Sequence, residues 1–131
     1  VEYLDLLTRT KNKVKLVQRA LNATTETDAI AFVNLVRMLA YFHLKENKIA
    51  NIDTIGGFPI ARTYDDLLIF ALPIDYLPWN EETSLMVENI NRLQEQSNAL
   101  GIELLVAGQA TKSASLELQD HDIRLRANYS F

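Results

Sequence analysis

The chain has 131 residues, 48% of them hydrophobic and 23% charged, which suits one domain with its own core and excludes a disordered or low-complexity protein. It has no cysteine, so disulfide frameworks, thiolate zinc sites and a cysteine nucleophile are excluded. Its longest apolar stretch, residues 67–74, falls far short of the ~20 residues a membrane-spanning helix needs.

Residues 2–22 read as a helix. Tyr3, Leu7, Thr10, Val14, Val17 and Leu21 follow one another at spacings of three and four, a heptad-like seam weakened at Thr10. Such a seam either packs on its own domain or extends an upstream coiled coil into a dimer contact. Leu7, Val14 and Leu21 are the candidate self-association residues. The start at Val1, inside a helical segment, raises the expectation of a chain excised or processed from a longer one. In residues 1–22, Arg9, Lys11, Lys13, Lys15 and Arg19 outweigh Glu2 and Asp5, a net of +3; the remainder carries −7, and together they give the net −4. A mostly acidic body argues against nucleic acid, while the basic segment suits an acidic partner, a membrane surface or plain solvent.

The segment "NATTETD", residues 22–28, breaks this helix and caps the next. Thr25 with Asp28 resembles a capping box, and Thr27 is the competing cap. Residues 28–48 form a helix apolar on most sides, with a polar stripe of Asn34, Arg37, Tyr41, Lys45 and Lys48. Such a helix is expected between the first helix and a sheet. Ile49, Ile52 and Ile55 suggest a strand, Gly56 and Gly57 a turn or bulge, and residues 58–63 a second strand. Pro59 points to an edge position for it. Residues 67–72 are apolar throughout, the mark of a central strand covered on both faces.

Residues 73–82 read as a loop. Asn80 is a good N-cap for a helix running to about Leu100, with Met86, Ile90, Leu93 and Leu100 on one face and Gly101 as its stop. Residues 102–107 are a further strand, and "GQATKSAS" reads as a loop or bulge leading through Leu116 and Leu118 to the last strand. There Ile123, Leu125, Ala127, Tyr129 and Phe131 alternate with Arg124, Arg126, Asn128 and Ser130. The whole predicts a single domain over residues 1–131, with an N-terminal helix at 1–22 and an α+β core at 27–131. Its architecture is a two-layer sandwich, a ferredoxin-like variant (αββαββ) with an extra N-terminal helix.

Little of the sequence carries chemistry. "RTYDDLLIF" resembles the acidic hairpin of reverse-transcriptase palms and the turn of diguanylate cyclases, which makes Asp65 and Asp66 the candidate metal ligands. The departures are specific. Thr63 holds the place of the polymerase aromatic, Tyr64 and Asp65 stand where the cyclase pattern has two glycines, and Leu67 replaces its second acid. Two-metal chemistry also needs a carboxylate on a neighbouring strand, and Asp53 is the one upstream acid placed near a strand. A hairpin turn accounts for Asp65 and Asp66 as well. His43 is expected as a packed residue and His121, between Asp120 and Asp122, as part of a solvated turn. No catalytic residue, metal site or cofactor follows from these patterns. Tyr76, Leu77 and Trp79 form an aromatic loop, either a plug over the sheet's end or an anchor for a partner.

The expected order of elements resembles the soluble domains of inner-membrane assembly-platform proteins of type II secretion and type IV pilus systems. That resemblance implies a periplasmic location, dimerisation and a scaffold role, and carries over no functional residue. The expectation is a non-catalytic interaction or assembly domain. The alternatives are a degenerate nucleotide-binding domain of the palm or cyclase kind, and a small binding inhibitor or chaperone.

Overall fold

A computed structural model describes residues 26–55 and 58–131. The helix expected over 2–22, its candidate contacts Leu7, Val14 and Leu21, the cap at Thr25 and the Gly56–Gly57 turn lie outside the described residues. Among those described, α1 spans Glu26–Lys45, β1 Ile49–Ile55, β2 Phe58–Thr63 and β3 Leu67–Leu72. There follow β4 Tyr76–Leu77, α2 Glu81–Ser97, β5 Gly101–Val106, β6 Gln109–Ala110, α3 Lys112–Asp120 and β7 Ile123–Arg126. The helix thus begins before Thr27, which is helical rather than a cap.

Five strands make one sheet in the order β1-β2-β3-β5-β7. The first three form an antiparallel meander, while β3, β5 and β7 run parallel. Parallel neighbours need crossovers, and α2 and α3 supply them. Each crossover moves the chain one place outward, so both helices pack on one face. On that face Leu68, Phe70, Ile102 and Leu104 meet Val87, Ile90, Ala114 and Leu118. On the other, Ile52, Ala61, Ile69, Ala71 and Leu105 meet Leu35, Val36, Met38, Leu39 and Phe42 of α1. The alternation along β3 and β5 sends successive side chains into opposite clusters, as strand geometry requires.

The mixed helix-and-strand class therefore holds, but not the two-layer, ferredoxin-like order. Helices cover both faces, and the C-terminal half of the sheet is parallel. The element that changes the topology is α3, where sequence patterning suggested a loop. Thr111 caps it, its Oγ1 accepting from the Ala114 amide at 3.0 Å. In nine residues it buries only Ala114 and Leu118, too few to show a helical period.

Other boundaries shift for local reasons. Asn80 caps α2 as expected, its Oδ1 accepting from the Thr83 amide at 2.9 Å. The helix ends at Asn98, left-handed at φ 57°, rather than at Gly101, which opens β5. β2 lies second in the sheet, so Pro59 is not on an edge strand. It precedes Ala61 and Arg62, the residues of β2 paired with β3, so its missing amide interrupts no bond there. The last strand stops at Arg126. Asn128, at φ 55°, turns the chain across the sheet, and the Tyr129 amide bonds the Val106 carbonyl at 2.9 Å. Tyr129 is buried in the α1 cluster all the same. No described helix is long and apolar enough to cross a membrane.

Candidate functional site

The acidic turn joins β2 to β3. Asp66 takes a left-handed conformation, φ 66°, which aspartate tolerates, and its carboxylate pairs with Arg62 at 3.1 Å. Asp65 accepts from the Asn47 amide at 3.0 and 3.2 Å and from the Thr63 hydroxyl, and these bonds lower its pKa. Thr63 also accepts from the Leu67 amide at 3.0 Å, which closes the turn. Both carboxylates are thus engaged in shaping the hairpin. Asp53 pairs with Ile60 in the ladder, four residues along β1 from Ile49, the partner of Thr63. That is about 13 Å away along the strand. Among the described residues, no three or more His, Asp or Glu side chains come together as a metal site.

The histidines also have local roles. His43 is buried, and its Nδ1 accepts from the Ile49 amide at 2.9 Å, which ties the end of α1 to the start of β1. Burial, and then Lys48, lower its pKa and favour the neutral ring that can accept this bond. His121 caps the end of α3, its Nδ1 lying 2.7 Å from the Glu117 carbonyl.

The aromatic loop divides. Leu77 is buried in the α2–α3 cluster, and Trp79 packs against that cluster with its ring 6.2 Å from that of His121. Both act as a plug. Tyr76 is 57% exposed and remains a surface aromatic. The segment is not wholly a loop: β4 runs parallel to β6, with Tyr76 opposite Gln109 and Leu77 opposite Ala110.

A polar network that patterning did not reveal links the end of α1 to the C-terminal segment. Glu46 accepts from Arg126 and from the Tyr129 hydroxyl. Glu103, on the same face of β5, is buried and lies 3.7 Å from Arg124 and 3.8 Å from Arg126. Burial raises the Glu46 pKa, but the bonds from Tyr129 and Arg126 and their attraction outweigh it, and the net shift is downward. A depressed carboxylate stabilises the fold above its unfolded pKa and loses that contribution as pH falls through the folded value. Glu46→Gln should therefore cost about 1 kcal/mol at neutral pH, discounted for partial exposure. In urea melts the gap to wild type should close as pH falls through the carboxylate range; a gap independent of pH would contradict the ionic reading.

A groove of about 740 Å³ lies beside α2. Ile60, Phe70 and Leu72 form its floor, and Leu85, Met86 and Leu93 form its α2 wall. The apolar face of α2 is therefore wider than its seat on the sheet, and Met86 and Leu93 pack against the same cluster as Val87 and Ile90. Thr83, Val87 and Ile90 are buried on the sheet, whereas Leu85 is 53% exposed and Met86 and Leu93 are half-buried. The sequence pattern assigned Met86, Ile90, Leu93 and Leu100 to a single core face. Ile90 is fully buried and Met86 and Leu93 pack half-buried against the same cluster, so three of the four share that face, while Leu100 lies past the helix in the open. The groove runs from Glu82 to Gln96, with Arg92 on its rim.

Comparison with protein-family models, with curated proteins and with solved structures finds no match.

Proposed function

We propose that this domain is a non-catalytic protein-interaction module that seats an amphipathic helix of a partner protein in the groove beside α2. The supporting observation is the width of the apolar face of α2, which leaves the exposed Leu85 and the half-buried Met86 and Leu93 lining a groove with the sheet residues Ile60, Phe70 and Leu72. The distance from Glu82 to Gln96 is about 21 Å at helical rise, the length of a fourteen-residue helix. Helix-in-groove recognition uses such surfaces, with anchors at three- and four-residue spacing. The rim adds direction. Arg92 attracts an acidic group and Glu82 a basic one. Acidic residues favour helix N-termini, so the partner helix runs antiparallel to α2. Scaffolding in an envelope secretion or pilus machine, the setting implied by the sequence resemblance, is the narrower form of this proposal.

Fourteen-residue amphipathic peptides selected from a random library against the full chain test this reading. The best of them should bind Leu85→Glu about 30-fold more weakly, the equivalent of about 2 kcal/mol. Glu at the exposed Leu116 of α3 should leave binding unchanged. Equal binding to wild type and Leu85→Glu would sink the proposal.

A further inference from the structure

The acidic turn between β2 and β3 reaches the Gln96 end of the groove through Arg62. Ile60 and Arg62 share one face of β2, the face turned to α2, and stand about 7 Å apart along the strand. Ile60 lines the groove. The Arg62 side chain crosses from the strand to the helix, where its Nη1 donates to the carbonyl of Ser97, the last residue of α2, at 3.1 Å. Asp66 holds the other edge of the guanidinium, accepting from Nε at 3.2 Å and lying 3.1 Å from Nη2. α2 has no basic residue in its own last turn, so Arg62 supplies the cation that suits its negative end.

The floor shows where this bar falls. Leu72, Phe70 and Leu68 succeed one another along β3 on the α2 face. Leu72 and Phe70 line the groove, whereas Leu68, the cross-strand partner of Arg62, does not. The apolar face thus continues to the residue beside Arg62, while the open groove stops before it.

We infer that Arg62 is an end stop that sets the length of helix the groove accepts, and that Asp66 is the residue that positions it. The inference rests on the groove reading and deepens it. A partner helix antiparallel to α2 brings its N-terminus to the Gln96 end. A further turn there meets the Arg62 side chain instead of Leu68. The acid of the β2–β3 turn thereby acquires a part in recognition: it aims a guanidinium across the gap between strand and helix.

The test compares the best library-selected peptide with two longer versions on the full chain. Each carries about four more residues, one helical turn, with a leucine on the anchor face; one is extended at its N-terminus and the other at its C-terminus. On wild type the N-terminal extension should change affinity by less than about twofold. On Arg62→Ala it should tighten binding about tenfold, the worth of one leucine buried on the uncovered floor. The C-terminal extension projects past Glu82 and should act alike on both proteins. Asp66→Asn keeps the arginine and suits the left-handed turn, but removes the ion pair. It should give a gain of about threefold for the N-terminal extension, and it carries the test if Arg62→Ala does not fold. A clasp that serves stability alone would shift all three peptides by one factor, and that result would overturn the stop. So would an equal gain from the N-terminal extension on wild type and variants, or no gain on any of them. Failure of the groove reading is seen separately, as an unextended peptide that binds wild type and Leu85→Glu equally.

Discussion

Phe42→Ala lowers the stability of the domain by about 4 kcal/mol in urea melts, the range for emptying a large aromatic site in a packed core. Phe42 is 1% exposed and stands in the cluster that joins α1 to β1, β2 and β3. It lies near the end of the helix, where its carbonyl receives the Glu46 and Asn47 amides at 2.9 and 3.0 Å. Its neighbours there are anchored to other elements: His43 holds the β1 amide of Ile49, and Glu46 holds Arg126 and Tyr129. They cannot close inward over the vacated volume without giving up those bonds. Poor relaxation puts the cost toward the upper part of the range. A domain with ordinary marginal stability would be left close to unfolding. Phe42→Leu retains most of the volume and should cost about 1.5 kcal/mol or less. A loss under 1 kcal/mol for Phe42→Ala would mean that α1 is not seated on the sheet.

Gly108→Ala should cost about 3 kcal/mol through the opposite fault, excess volume. A Cβ at Gly108 would stand 2.0 Å from the Asp75 carbonyl oxygen and 2.5 Å from its Cα. These are backbone atoms, so no side chain can swing away. The backbone here is fastened from three sides. The Gly108 amide bonds the Ile74 carbonyl at 2.8 Å, the Gln109 amide bonds that of Asp75 at 2.9 Å, and the Asn128 amide bonds that of Gly108 at 2.7 Å. A methyl group must part β4 from β6 and loosen the C-terminal segment with them. Ala107→Gly, one residue away, removes a half-buried methyl and should cost about 1 kcal/mol. Chemical melts of the two variants give the comparison, and Gly108→Ala within 0.5 kcal/mol of wild type would contradict the close approach.

The sequence made the individual elements legible better than their assembly. The six-residue apolar run of β3, and β5 with its single acid Glu103, read as strands because both faces are covered, and α2 read as a helix from its Asn80 cap. Strand direction depended on α3, and α3 hides because a nine-residue helix with two inward residues has almost no period. With that segment read as a loop leading through Leu116 and Leu118, no helix stood between β5 and the last strand to mark a parallel crossover. The alternation over 123–131 misled in another way. It persists beyond Arg126 because Tyr129 still enters the core, though the chain has already turned at Asn128. The acidic pair Asp65 and Asp66 was legible as a turn, and the structure adds the side chains that occupy each carboxylate. The groove was hidden because spacing marks Met86 and Leu93 as core, where they do pack, but does not show that each is left half-buried. How much of the apolar face of α2 the sheet covers depends on where β5 carries the chain, and that is a long-range fact. Glu46, Arg126 and Tyr129 were hidden likewise, since 80 and more residues separate the partners.

The central claim is that α2 and the neighbouring strands form a seat for a partner helix. Amide chemical-shift mapping of the isotope-labelled full chain with the best library-selected peptide tests it most directly. The account predicts shifts concentrated in residues 82–96 of α2 and in β2 and β3 around Ile60, Phe70 and Leu72, with the exposed Ile30 and Val33 of α1 and the Tyr76 surface undisturbed. Shifts centred on Tyr76 or on Ile30 and Val33, with α2 unchanged, would contradict it.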